Sequence, residues 1–549
     1  MKNIYLLIII ILMTTNAKAQ SFIYIDDHCF GTSAGEEGKA IARLNQLNVI
    51  AGHSICYYSQ QDKTDPNCEL TGSSKDIWIV AFDDSLHKKW DKNYGTNSPY
   101  DDSYSIIPYK QGFLVAGHTN GDSSCNLITT TKGNWDYILL YLDSLGNKIN
   151  ETRFGSIGND KLCSAAQTLD GGLLLSGSSN GVHSFDKSQN AFYYPNQNPF
   201  QAEYDLWVIK LDSLGNKQWD RIFGGLDRDA GEGIGYLHKT QGHTILKDSS
   251  YLVYGETISG VGGNITSSPI SPNYGEAIVF KVDKNGNKIW DKRYGCTGCI
   301  GWTGLVKIIE MENYYYLFGF KENTLLPNYQ QDLWIVKTDT SGNIIWEKNY
   351  GTSEIDLFAD VLLNTQGGFF ALGSIAIANG SFLNPGYGAY DAVIMNFDTS
   401  GALLTYKYLG ANNSDFGNAL TLINDSTLLI SATGYDGISN VKHDVGHGYT
   451  DIWAVKVGYS TTTTSLNQLQ NNLSLTVRPN PAKDQINITG LPPGSYVLQT
   501  YNIDGRLVMS DMVTSVLSLP LSIETLQSGM YITNIKNEKV STTVRWVKE

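Results

Sequence analysis

Aromatic and hydroxyl-bearing residues crowd the long polar stretches of this chain. Tyr57, Tyr58, Phe192, Tyr193, Tyr194, Tyr204, Tyr274, Tyr387, Tyr435 and Tyr449 sit among Asn, Ser and Gly. That mixture supplies flat stacking area with adaptable hydrogen bonds, the chemistry of carbohydrate or protein recognition. The same rings can instead plug an opening as a small local core. Acids form a second series: Glu36, Asp101, Asp160, Asp229, Asp356 and Asp415 each precede an apolar run. Carboxylates converging on one channel can hold a cation such as calcium, whereas single ones in such places cap turns or bond neighbouring amides. His443 and His447 have chelating side chains but lack the helical spacing that fixes both on one face, and His53 and His118 recur at equivalent strand exits.

The cysteines are seven in number. Cys56 and Cys68 lie in one insert and suit a disulfide in an oxidising compartment. Cys296 and Cys299 have the spacing of a redox pair, but the repeat around them is β throughout, so a local staple or free thiols is the plainer reading. Cys29, Cys125 and Cys163 cannot be paired from the sequence. Glycoside hydrolysis needs two carboxylates flanking the sugar, and no pair among the acids is marked. No phosphate-binding glycine loop occurs. The balance favours a binding or scaffold protein with no cofactor beyond calcium. The alternatives are a polysaccharide-active hydrolase or lyase on the same face, or a structural adhesion component.

The elements that position these residues repeat seven times. One anchor is an aromatic residue and glycine, at Phe30-Gly31, Tyr94-Gly95, Phe154-Gly155, Phe223-Gly224, Tyr294-Gly295, Tyr350-Gly351 and the looser Tyr408-Leu409-Gly410. The other is an acid before an apolar run, at Asp76, Asp136, Asp205, Glu276, Asp332, Asp391 and Asp451. Each unit resolves into four β-prone runs joined by tight turns such as Asp143 to Asn147. Repeats of this kind predict an all-β, seven-bladed β-propeller over 20–457. The seventh unit lacks a fourth strand after Val457, while Phe22 to Ile25 precede the first anchor, so the N-terminal strand is expected to close the last blade and hide two edges. Trp90, Trp219, Trp290 and Trp346, each four residues before its anchor, read as inter-blade packing.

Alternation along antiparallel strands places every loop between second and third strands on one face. These inserts, roughly 53–75, 118–135, 178–203, 256–275, 321–331, 375–389 and 433–450, carry the aromatic residues named above. Long loops on a rigid scaffold are the usual carriers of function.

The first 19 residues read as a signal peptide, with an apolar core from Ile4 to Met13 and a small-x-small site at Ala17-Lys18-Ala19. No second apolar stretch approaches the roughly 20 residues needed to span a bilayer. A net charge of -14, with 17% charged residues over a length of 549, argues against nucleic acid or anionic lipid as a partner. A Ser/Thr- and Asn/Gln-rich linker occupies 458–472, and short alternating strands follow, expected to form a small immunoglobulin-like sandwich.

Within 473–549, Arg478-Pro479-Asn480-Pro481, Asn502 to Val508 with Gly505, Gly529-Met530-Tyr531 and the basic ending Lys539, Arg545, Lys548 resemble the type A sorting domain of the bacterial type IX secretion system. The resemblance implies export through the type IX translocon and removal of this domain by a sortase-like protease, often with attachment to surface lipopolysaccharide, hence a secreted or cell-surface protein. Residues 22–457 loosely resemble bacterial propeller repeats of the SBBP type, most closely from Lys210-Leu211-Asp212 through Gly224-Gly225. That family implies a fold but no single activity.

Overall fold

Runs such as Asp76–Phe82, Asp205–Leu211 and Asp391–Phe397 are buried at every residue, as central strands covered on both faces must be. Glu36–Leu44 instead alternates buried and part-exposed positions, the period of a strand with one open face. The computed structural model describes residues 18–55, 61–65, 74–193, 203–229, 240–271, 274–297, 301–322, 331–376, 381–382, 386–435, 437–439, 441–463, 475–491, 493–502, 507–515, 518–536 and 541–549. The signal-peptide core lies outside these residues, as do Cys56, Tyr57, Tyr58, Cys68, Tyr194, Cys299 and Gly505. Two compact units are present, one spanning Gln20–Thr461 and another including Thr462–Glu549.

The first unit is all-β and propeller-like. Among the described residues it holds seven four-stranded sheets, six built from consecutive strands. Their first strands are Glu36–Leu44, Asp101–Tyr109, Asp160–Gln167, Gly242–Ile245, Gly304–Met311, Leu357–Leu363 and Asp415–Asn424. The seventh sheet takes Lys18–Phe30 beside Thr450–Thr463 as its outer strand. One backbone clasp recurs between consecutive sheets: the amide of the acid that opens or precedes a first strand reaches the carbonyl preceding the third strand of the sheet before it. Asp101 N–H to Lys75 O and Asp160 N–H to Trp135 O measure 2.8 Å, Asp229 N–H to Tyr204 O 2.7 Å, and Asp415 N–H to Tyr390 O 2.8 Å. Between the last and first sheets, Gly35 bridges Thr450 in parallel, and Glu36–Leu44 touches both Asp101–Tyr109 and Asp415–Asn424.

The two sequence anchors are two halves of one contact. A Cβ on Gly31, Gly95, Gly155, Gly224, Gly351 or Gly410 would lie 1.6–2.3 Å from the carboxylate of Asp451, Asp76, Asp136, Asp205, Asp332 or Asp391 respectively. Only glycine admits that approach. Where Glu276 replaces aspartate, a Cβ on Gly295 would stand 3.7 Å away. The fourth-strand tryptophans pack under the next sheet's turn. A Cβ on Gly146, Gly286, Gly342 or Gly401, all left-handed with φ of 76–81°, would come within 2.5–3.1 Å of Trp90, Trp219, Trp290 or Trp346. In those turns Asp143, Asp212, Asp283 and Asp339 each accept the amides two and four residues on, at 2.8–2.9 Å.

A further pairing identifies the N-terminal strand as a true fourth strand. The indole N–H of Trp78, Trp207 and Trp334 donates to Asp91, Asp220 and Glu347 on fourth strands, at 2.9–3.1 Å. In the seventh sheet Trp453 donates to Asp27 of Lys18–Phe30 at 2.8 Å. Acids at this strand position also accept amides of the inserts: Thr64 on Asp91, Ser188 on Asp220, Thr266 on Asp291 and His443 on Asp27. Insert side chains in turn receive the anchor amides, Gly95 N–H on Asn126, Gly155 N–H on Asp186 and Gly224 N–H on Asn264, each at 2.9 Å. The inserts are therefore lashed beside the links between sheets.

The second unit packs a three-stranded sheet, Thr476–Arg478, Gln485–Thr489 and Ser518–Ser522, and a four-stranded one, Leu507–Ser515, Gly494–Asn502, Gly529–Lys536 and Ser541–Lys548, on a shared apolar core. Asn480, between Pro479 and Pro481, accepts the Val547 amide at 2.9 Å. Tyr531 stacks on Trp546 with centroids 4.9 Å apart. The Pro-Asn-Pro segment is thus fastened to the last strand, and the Gly529–Tyr531 motif to the core.

Candidate functional site

Each first-strand acid is spent on its own turn. The Oδ2 atoms of Asp101, Asp160 and Asp415 accept the amides of Thr96, Ser156 and Ala411 at 2.6–2.7 Å, and Glu36 accepts Thr32 at 2.9 Å. Asp229 and Asp356 take the amides of Gly225 and Thr352 in the same way. Burial pushes these carboxyls up, Asp101 and Asp356 to about 7 and Asp229 to about 6. Among the described residues no group of three or more His, Cys, Asp or Glu side chains is placed to hold a metal ion.

His443 and His447 also stay local. The Tyr24 hydroxyl lies 2.7 Å from His443 Nδ1 and donates to Asp27, and the His447 amide donates to Asp451 at 2.7 Å. Between them, Asp444 pairs with His28 at 2.8 Å. This segment fastens the N-terminal strand to the last insert. Cys296 is in a disulfide, while Cys29, Cys125 and Cys163 keep their thiols.

A richer assembly lies where the first strands bulge. Register slips by one residue between Gly38 and Ala40, Ser103 and Ser105, Leu162 and Ser164, Leu305 and Lys307, Phe358 and Asp360, and Gly417 and Ala419. A bulge re-aims the extra side chain, here Lys39, Tyr104, Cys163, Val306, Ala359 and Asn418. Neighbouring bulges meet. Lys39 Nζ lies over the Tyr104 ring at 4.1 Å and pairs with Asp102 at 2.7 Å, and His53 Nδ1 sits 3.2 Å from the same carboxylate. Tyr104 stacks on His118 at 5.0 Å, His118 meets Trp135 edge-on at 5.0 Å, and Trp135 meets Tyr100 at 5.7 Å.

Charge states follow from these contacts. Burial opposes the ammonium of Lys39, but Asp102 and Glu37 outweigh it and hold the group well above its usual range. Burial likewise works against the Asp102 carboxylate, yet Lys39 and His53 hold it well below normal. His118 is pulled down to about 4 by burial and is neutral at physiological pH. The cluster presents a fixed ion pair, a neutral imidazole and a row of aromatic faces.

A second row runs through the last two sheets: Tyr390 to Phe416 at 5.4 Å, Phe416 to Tyr435 at 6.4 Å and Tyr435 to Tyr449 at 5.5 Å, with Tyr449 71% exposed. Burial, Tyr449 and Glu37 together raise the Tyr435 hydroxyl, so this row reaches the field of Glu37. Of the ten aromatic residues singled out in the sequence, Tyr435 and Tyr449 are in this row. Tyr204 and Tyr387 pack against apolar cores, Tyr274 lies in its insert, and Phe192 and Tyr193 line a separate cavity. Lys39, Asp102, Tyr104, Tyr100 and Trp135 escaped the sequence reading. His53 and His118 were legible as equivalent exits, which is the signal that leads to the cluster.

The secretion system C-terminal sorting domain matches residues 476–549. No curated protein matches the chain. Similar solved structures include a DUF4221-family member from Bacteroides vulgatus (10% identity, 81% of this chain and 99% of that one, TM-score 0.32). Puromycin hydrolase is another (8%, 92% and 59%, TM-score 0.39), as is the Pseudomonas aeruginosa PilY1 C-terminal domain (9%, 80% and 93%, TM-score 0.30). Likenesses at these scores carry no argument about activity. The sorting tail marks the chain as type IX secretion cargo, a secreted or cell-surface protein. Among the described residues no helix is long and apolar enough to cross a membrane.

Proposed function

We propose that this chain is a secreted or surface-displayed binding propeller that takes a glycan or protein ligand on the face carrying its inserts. In this reading the seven sheets close into one ring, related to SBBP-type repeats, with Lys18–Phe30, from Gln20 onward, completing the last blade. A signal peptide ending at Ala19 opens the export route, and the C-terminal domain engages the type IX translocon and a sortase-like protease. The observation that carries the binding function is the run of aromatic rings and charged side chains around the bulged first strands, from Tyr449 and Tyr435 past Glu37, Lys39 and Asp102 to Tyr104, His118, Trp135 and Tyr100. Aromatic faces beside fixed polar groups suit hydroxyl-rich or peptide surfaces.

The mature chain on glycan and protein arrays should retain a ligand. Tyr435→Ala with Tyr449→Ala should abolish retention while leaving the melting temperature within a few degrees. Loss of stability in that variant would mark the tyrosines as packing. The Lys39–Asp102–His53 network supports a second reading as a polysaccharide-active enzyme, and turnover of a retained glycan, lost in Asp102→Asn, would establish it. A tagged chain lacking 473–549 should fail to reach the cell surface; its arrival there would overturn the sorting role.

A further inference from the structure

A cavity of about 340 Å³ opens between the inserts of the third and fourth sheets, lined by Gln189, Asn190, Phe192, Tyr193, Ile222 and Asn264 among others. Its polar groups are pre-set. Gln189 Oε1 accepts the Ile222 amide at 3.1 Å and Asn190 Oδ1 accepts the His183 amide at 2.6 Å. Each carbonyl end is thus pinned to backbone, which fixes the orientation of the amide and leaves its NH₂ as the open end. Among the described residues no hydrogen bond holds either of these nitrogens. Asn264 differs, since it accepts Gly224 N–H and donates to Ile222 O, so it serves as wall.

The aromatic side of the cavity is specific to this pair of inserts. At one insert position the backbone turns left-handed in four sheets, at Gln61 (φ 51°), Cys125 (φ 51°), Phe185 (φ 47°) and Gly263 (φ 55°). Three of these carry side chains, but Gly263 carries none, and a Cβ there would come 2.4 Å from the Gly224 carbonyl oxygen and 3.0 Å from Phe192 Cγ. The missing side chain lets the Gly224 backbone and the Phe192 ring both close in. That ring is held from below as well, because its own amide donates to Asp205 Oδ2 at 2.5 Å.

We infer that this cavity is a subsite for a neutral sugar ring, an assignment that rests on the reading of the chain as a binding protein. Two oriented amide donors next to Phe192 and Tyr193 match ring oxygens and hydroxyls presented over an apolar sugar face. Among the described residues no cation lines the cavity, and Asp205 and Asp220 stand behind its wall, bonded to the amides of Phe192 and Ser188, with Asp220 paired to Lys217. An anionic sugar would find no counter-charge among those lining residues. The volume is at the small end of ligand pockets, which suits one or two rings and excludes a folded protein.

The test uses the mature full chain with neutral gluco-, manno- and xylo-oligosaccharides, uronic-acid oligosaccharides and a protein array. Saturation-transfer NMR and calorimetry are the readouts. Neutral oligosaccharides should bind, and Asn190→Asp and Gln189→Glu should each weaken them about tenfold or more. Each replacement keeps the carbonyl-side acceptor and exchanges the donor for a carboxylate. Leu214→Ala, in an exposed turn away from the cavity, should leave this binding unchanged. If Asn190→Asp fails to fold, Gln189→Glu carries the comparison. Binding of neutral sugars that is lost in Tyr449→Ala but kept in both cavity variants overturns the subsite and leaves the broader function standing. Retention of acidic sugars or proteins alone does the same. Retention of nothing on any array overturns both.

Discussion

Equivalent positions in the inserts hold a buried lysine in some sheets and an apolar residue in others. Lys187 and Lys442 occupy the place that Leu127 and Ile265 take in the second and fourth sheets and Phe382 in the sixth; all five are buried. The equivalence is structural, since Ser124 bridges Leu127 as Ser184 bridges Lys187 and Gly262 bridges Ile265, and the Ser439 amide meets Lys442 O at 2.8 Å. Lys442 pairs with the first-strand acid Asp415 at 2.7 Å, and Lys187 acts on Asp160 through Ser179. Asp101, Asp229 and Asp356 have no such lysine. One turn-closing carboxyl is therefore accommodated in two ways, beside a cation or by holding a proton. A buried charge left with neither is costly.

The largest test is pH. Burial raises Asp101 and Asp356 to about 7 and Asp229 to about 6, against roughly 3.9 in the unfolded chain. Between these values the folded state binds more protons than the unfolded one, so stability falls as pH rises from about 4 to 7. The loss is complete above the folded values. For Asp101 alone it is on the order of 4 kcal/mol. Denaturant midpoints at pH 5 and pH 8 should differ strongly in the native chain and less in Asp101→Asn. Equal slopes in the two would remove Asp101 as the cause.

A single substitution sharpens it next. Lys442→Met should cost about 3–5 kcal/mol, the usual penalty for stranding a buried partner, and adding Asp415→Asn should recover most of that. Leu127→Lys should do the reverse in the second sheet, drawing Asp101 down and flattening the pH dependence. Smaller effects belong to the anchors. Gly351→Ala forces a Cβ to 2.1 Å from Asp332 and should cost about 1–3 kcal/mol, whereas Gly295→Ala, facing Glu276 at 3.7 Å, should be nearly silent in thermal melts. Least of all is the part-exposed pair of His28 and Asp444. The bond to Asp444 raises His28, and His28 holds Asp444 down at about 2. Its contribution is full from about pH 4 to 6.5, fades above as the imidazole loses its proton and below as the carboxyl gains one. Screening keeps it under about 1 kcal/mol. His28→Asn should shift the melting point slightly at pH 5.5 and not at pH 9.

Much of the fold was legible because it is written as paired signals. Asp76 and Gly95 are one contact, so each anchor predicts the other, and Gly146 in its turn marks the place where Trp90 packs. Phe22 to Ile25 announced the strand that completes the seventh sheet, and Trp453 bonds Asp27 across that pairing. The candidate rim was only half legible. Tyr435 and Tyr449 stand out in an insert, but Lys39 and Tyr104 are aimed by bulges, and a bulge is a one-residue slip against a partner strand that period-two reading cannot register. Asp102 next to Asp101 looked like one more turn acid. Its lysine and histidine partners come from the neighbouring sheet, which local patterns do not reveal.

The bond from Trp453 to Asp27 spans 426 positions, and this separation sets a timetable for synthesis. At about 5–20 residues per second, the segment Lys18–Phe30 leaves the ribosome roughly 20–90 s before the strand that will receive it exists. Throughout that wait a thirteen-residue strand has its hydrogen-bonding edge unclaimed, a ready guest for a holding chaperone and a hazard if neighbouring nascent chains meet it first.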